Sequence, residues 1–95
     1  MIKDLENKEV DINSLLNLDS TTADIAPFLL SKIAVAKSKG LYGDSLVSNY
    51  NTYDFSFKDN LMTVSGLVKE DAVSKFNLSE FIEELKRLSD PQTSN

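Results

Sequence analysis

A chain of 95 residues with 41% hydrophobic and 26% charged side chains fits one domain built around one core. Ten Lys and Arg against fifteen Asp and Glu leave a formal charge of −5, which opposes non-specific attraction to phosphate backbones or anionic lipid and makes a basic protein the easier partner. There is no Cys, His or Trp, so disulfides, thiolate nucleophiles, zinc sites made from Cys or His, and imidazole acid–base catalysis are excluded.

The lack of cysteine in so short a chain favours a reducing compartment. The opening "MIKDLENKEVDINSLL" is charged throughout and carries no apolar signal-peptide core, and no run approaches the length of a membrane span. The expected location is the cytoplasm, with no membrane partner.

The first twenty residues read as an arm or a short helix: in "VDINSLLNL", Asp11 offers a cap and Ile12, Leu15 and Leu16 share one side. The next segment, "NLDSTTADIAPFLLSKIAVAKSKG", carries firmer helix signals. Thr21 and Thr22 are candidate N-caps, Asp24 sits in the first turn, Lys37 and Lys39 complement the negative end, and Gly40 follows as the terminating residue. Pro27 falls about a turn inside, where its missing amide is barely needed. The helix is apolar around much of its circumference. Ile25, Leu29, Ile33 and Ala36 define one face, Ala26, Leu30 and Ala34 widen it, and Phe28 and Val35 lie on the far flank, so the helix is expected at the centre of the core or, failing that, at a dimer seam.

"GLYGD" reads as a loop. It follows a helix end instead of opening one, the wrong geometry for cradling phosphate, and no cofactor is expected. Period-two patterning then sets in. Tyr53, Phe55 and Phe57 alternate with Asp54, Ser56 and Lys58, and Asp59-Asn60 suits a two-residue hairpin turn. In that register Phe57 faces Met62, Phe55 faces Val64 and Tyr53 faces Gly66, with Ser56 opposite Thr63 and Asp54 opposite Ser65. "VKEDAV" is a charged turn and "AVSKF" a third strand.

A closing helix begins near Asn77, whose spacing to Glu80 is that of a capping box, while Phe76 and Phe81 have the spacing of a hydrophobic staple. Leu78, Phe81, Ile82, Leu85 and Leu88 make its apolar face, Glu83 and Arg87 are spaced as an ion pair, and Asp90-Pro91 ends it before a disordered tail over 91–95. The fold class is α+β. One domain spans 1–90, a two-layer sandwich of order (α)-α-β-β-β-α with a three-stranded antiparallel meander packed against helices.

Every carboxylate has an ordinary place in this scheme: Asp19 and Asp24 near a helix start, Asp44 in a loop, Asp54 on a polar strand face, Glu70 and Asp71 in a turn. No nucleophile, base and orienting group assemble, no calcium-loop pattern occurs, and no enzyme is expected. Tyr53, Phe55 and Phe57 superficially resemble a base-stacking platform, but they share a face with Met62 and Val64 that the amphipathic helices need as their own partner surface.

Lys32, Lys37 and Lys39 with Tyr42 form the one basic cluster, a thin basis for nucleic-acid binding. The leading expectation is a small acidic protein-binding module, an inhibitor, immunity or regulatory factor, acting through the outer sheet face at Asp54, Ser56, Lys58, Thr63 and Ser65, extended by Glu70 and Asp71. A homodimer held by the surplus apolar surface of the long helix or by an edge strand is the alternative.

Overall fold

The computed structural model describes residues 2–19, 21–66 and 73–89. Glu70, Asp71, the tail over 91–95 and the helix-ending Asp90-Pro91 lie outside those residues. The elements are β1 (Ile2–Lys3), β2 (Glu9–Val10), α1 (Ile12–Leu16), α2 (Thr22–Ser38), β3 (Gly43–Val47), β4 (Asn51–Ser56), β5 (Leu61–Gly66), β6 (Val73–Asn77) and α3 (Leu78–Ser89). The class is α+β, with a four-stranded antiparallel sheet in the order β3-β4-β5-β6 and a separate two-stranded pair, β1-β2.

The N-terminal arm is a small hairpin followed by α1. Asp4 accepts the amides of Glu6 and Lys8 at 2.9 Å, and Asn7 takes the left-handed conformation at φ 67°, closing the turn. Asp11 caps α1 by accepting Ser14 N–H, and Ile12 and Leu16 are fully buried.

α2 follows the expected span. Its C-terminus closes on Gly40 at φ 72°, with Gly40 N–H to Lys37 C=O and Leu41 N–H to Ala36 C=O satisfying the last carbonyls. Its wide apolar surface is only partly used: Ile25, Ala26, Leu29, Ile33 and Ala36 are buried, whereas Phe28 and Val35 are exposed. At 100° per residue these two fall in the same stripe as Asp24, Ser31 and Ser38, the solvent side of the helix.

The sheet has one more strand than the period-two pattern suggests, because "GLYGD" contains the start of β3. A Cβ on Gly43 would collide with the carbonyl oxygen of Phe55 on β4, so glycine there admits the strand to the sheet. The β4–β5 register also differs by two residues from the expected one: Phe55 faces Met62, Tyr53 faces Val64 and Asn51 faces Gly66.

The cause is the turn. A two-residue turn of the expected kind needs positive φ at both Asp59 and Asn60, and only Asn60 has it, at 52°. Phe57 to Asn60 therefore form a four-residue turn, pinned by Asp59 N–H to Ser56 Oγ at 3.2 Å, while Phe57 N–H continues the ladder to Tyr42 C=O at 2.7 Å. A slip of two keeps every side chain on its expected face.

One face of the sheet presents the rows Asp44–Phe55–Met62–Phe76 and Leu46–Tyr53–Val64–Ser74 to the helices. Phe55, Met62, Phe76, Tyr53 and Val64 join Ile12, Leu16 and the inner faces of α2 and α3 in one core. α3 starts as expected. Asn77 accepts Glu80 N–H at 3.4 Å, and Phe76 and Phe81 stack at 5.3 Å between centroids. Within α3 the described ion pairs are i,i+3 instead of the expected Glu83–Arg87 pair: Arg87 bonds Glu84, whose side chain is nearly buried, and Lys86 lies 3.6 Å from Glu83.

Candidate functional site

Alternation places the residues that do not face the helices in three rows across the four strands: Gly43–Ser56–Leu61–Asn77, Ser45–Asp54–Thr63–Lys75 and Val47–Thr52–Ser65–Val73. None of them is buried. The central row is polar from edge to edge, with short hydroxyl side chains between one carboxylate and one ammonium. At about 4.8 Å per strand, Asp54 and Lys75 sit roughly 10 Å apart, near a Debye length in physiological salt, so they act as separate charges. Valines close one end of the face on both edge strands.

Of the residues singled out from the sequence, Asp54, Thr63 and Ser65 lie on this face. Ser56 does too, but its hydroxyl is engaged in the turn, accepting from Asp59 N–H and donating to Asp59 Oδ2 at 3.2 Å. Lys58 lies in the turn itself, exposed beyond the end of the ladder. Ser45, Thr52 and Lys75 were missed. Ser45 and Lys75 belong to edge strands, one unread and one short, and Thr52 precedes the aromatic alternation; the only signal available was continuation of the period of two in both directions.

The basic cluster assembles only in part. Lys32 bonds Asp44 at 3.2 Å, tying α2 to β3, and Lys39 lies on the same side and also acts on Asp44, while about 140–160° around the helix separates Lys37 from both. The carboxylates do not assemble. Asp24 accepts Thr21 Oγ1–H at 2.7 Å, while Asp19, set in the loop after α1, is nearly buried.

Asp19 Oδ1 accepts the amides of Tyr50 and Asn51 at 2.6 and 3.2 Å; Oδ2 accepts Asn51 Nδ2 at 2.9 Å and the Tyr53 hydroxyl. Burial pushes its pKa up, but these donors together outweigh that and hold it below the ordinary carboxylate value, while burial and Asp19 push the Tyr53 hydroxyl well up. Both groups thus keep one protonation state at neutral pH. They work as a structural clasp.

Beside α3 and β1 an open groove of about 570 Å³ is lined by Ile2, Ser79, Glu80, Glu83, Glu84 and Arg87. Among the described residues no group of His, Cys, Asp and Glu is placed to hold a metal ion, and no helix is long and apolar enough to cross a membrane.

No protein-family model, curated protein or solved structure matches the chain. Among the described residues, the central row of the open face is a polar surface that no helix covers.

Proposed function

We propose that this chain is a protein-binding module that acts by contact through the open face of its sheet, as an inhibitor, immunity or regulatory factor without catalysis of its own. The observation that carries the reading is the uncovered central row Ser45–Asp54–Thr63–Lys75, held in register by the ladders of a sheet whose other face packs against helices. Short β-branched and hydroxyl side chains lose little rotamer freedom on contact, which favours binding through a preformed surface.

The face spans roughly 19 Å across the strands and 17 Å along them, about 320 Å², below the roughly 600 Å² a side of the smaller specific interfaces, so a partner on it must also reach past the sheet's edges. A net charge of −5, to which Glu70 and Asp71 contribute, steers a basic partner toward the molecule.

The test is capture from the native host with wild type and with Thr63→Arg, which places a long charged side chain at the centre of the face. The reading expects a protein bound at micromolar concentration by wild type and lost by the variant, with both proteins melting alike. No captured protein, or one retained equally by the variant, counts against it.

A further inference from the structure

Among the described residues β3 is an edge strand, and its backbone reveals which of its groups have no described strand beside them. Phe57 N–H bonds Tyr42 C=O at one end of the β3–β4 ladder and Ser48 N–H bonds Asn51 C=O at the other. Bonded pairs alternate in an antiparallel ladder, so residues 42, 44, 46 and 48 face β4, and Gly43, Ser45 and Val47 turn their amides and carbonyls outward. Such a row is a template for another strand.

Its central donor is already taken. Ser45 N–H donates to Oδ1 of Asp44 at 2.8 Å, and Oδ2 of the same carboxylate meets Lys32 Nζ of α2 at 3.2 Å. The opposite edge is closed differently: the outward carbonyl of Lys75 on β6 accepts Leu5 N–H from the β1–β2 turn at 2.8 Å.

The geometry points to β3 as a concealed pairing strand for a second copy of this chain, held shut by the Asp44 carboxylate. Antiparallel pairing about a two-fold axis at Ser45 sets Ser45 against its own copy and Gly43 against Val47. In that arrangement the Ser45 carbonyl of the second copy needs the same N–H that Asp44 occupies, so latch and partner compete for one atom.

Three features make a copy the fitting occupant. Val47, 66% exposed, meets Gly43, which has no side chain to exclude it. Lys32 neutralises Asp44, so the edge of this acidic chain carries little charge to repel its like. The two-fold also brings together the β3 side of both α2 helices, beside which Phe28 and Val35 are left exposed.

The inference concerns the edge and not the open face, so Thr63→Arg should leave it untouched. It is tested by sedimentation over a concentration series. Asp44→Ala is expected to dimerise with a dissociation constant at least about tenfold below that of wild type. The double variant D44A/S45P should return to the wild-type mass, since proline removes the contested donor at a position where an edge strand tolerates it.

A natively folded D44A with the mass of wild type overturns the proposal. So does a D44A/S45P that still dimerises, or growth of D44A into open-ended assemblies. Should D44A fail to fold, Lys32→Met loosens the same carboxylate from α2, and a smaller shift toward dimer is expected from it; no shift counts against the latch. In wild type, the Ser45 amide resonance should follow the titration of Asp44 while that of Val47 does not, and an indifferent Ser45 amide removes the latch altogether.

Discussion

The carboxylate of Asp19 receives the hydroxyl of Tyr53 across 34 positions of chain, and in doing so fastens the loop after α1 to the start of β4. The same oxygen accepts Asn51 Nδ2, whose other bonds run to Leu15 C=O at 3.2 Å and to the Tyr53 hydroxyl oxygen at 3.3 Å. Removing the tyrosine hydroxyl in Tyr53→Phe leaves Asp19 with its remaining donors, so a loss of about 1–2 kcal/mol is expected in urea unfolding. Asp19→Ala strands several buried donors at once. A loss of about 3 kcal/mol or more follows from their desolvation.

The same clasp sets a pH dependence. The folded-state pKa of Asp19 lies below the 3.8 of an ordinary aspartate side chain, so its contribution to stability is complete above that value and is lost as pH falls through the lowered one. The stability gap between wild type and Asp19→Asn should therefore be widest near neutrality and narrow progressively below pH 4, as read by urea titrations at several pH values. A gap that widens on acidification would mean the carboxylate is not held ionised by its donors.

Asn60 and Asn77 make the second long-range link. Asn60 Nδ2 donates to Asn77 Oδ1 at 2.9 Å, and Asn60 Oδ1 accepts Ser79 N–H at 3.1 Å, so the β4–β5 turn helps to cap α3. Asn60 also stands at φ 52°. Asn60→Gly keeps the backbone at ease and loses the cap alone, for about 1 kcal/mol; Asn60→Ala loses both and should fall further, by about 1 kcal/mol more. Equal losses for the two would remove the backbone part of this account.

Much of this architecture was legible locally, and what was not is instructive. The faces of β4 and β5, the caps and staple of α3, and the span of α2 each follow from residues within one or two turns of one another. β1 and β2 are two residues long, too short to show a period. β3 hides because it begins on glycine and, at an edge, needs no apolar row. The β4–β5 register turned on whether one residue, Asp59, adopts positive φ, a choice made by Ser56 Oγ and by the Phe57 bond to Tyr42. For the open face, Asp54, Thr63 and Ser65 were found because parity survives a slip of two. Ser45 and Lys75 depended on strand neighbours that only the tertiary ladder supplies.

The two glycines of "GLYGD" separate two kinds of need. Gly40 requires left-handed backbone with open space around its Cα, so Gly40→Ala should cost about 1 kcal/mol. Gly43 requires room: a Cβ would strike the Phe55 carbonyl and crowd Ser56 Cα at 3.1 Å, both backbone atoms that cannot swing aside. Gly43→Ala should cost more, about 2–3 kcal/mol, and should loosen β3 from the sheet. Amide exchange of Leu46, whose N–H faces β4, reports that loosening directly.

α2 offers a last test, of how its apolar surface is divided. Leu29 and Ile33 are buried against the sheet and α3, while Phe28 and Val35, their sequence neighbours, lie on the solvent side. Leu29→Ala or Ile33→Ala should cost about 2–5 kcal/mol through lost transfer energy and the cavity left behind. Phe28→Ser and Val35→Ser should stay within about 0.5 kcal/mol, as surface changes do. Chemical denaturation of the four variants decides it. A large loss at Phe28 or Val35 in dilute protein would place them in the core, whereas a loss appearing only at high protein concentration would point to the α2 flank being covered by a second copy.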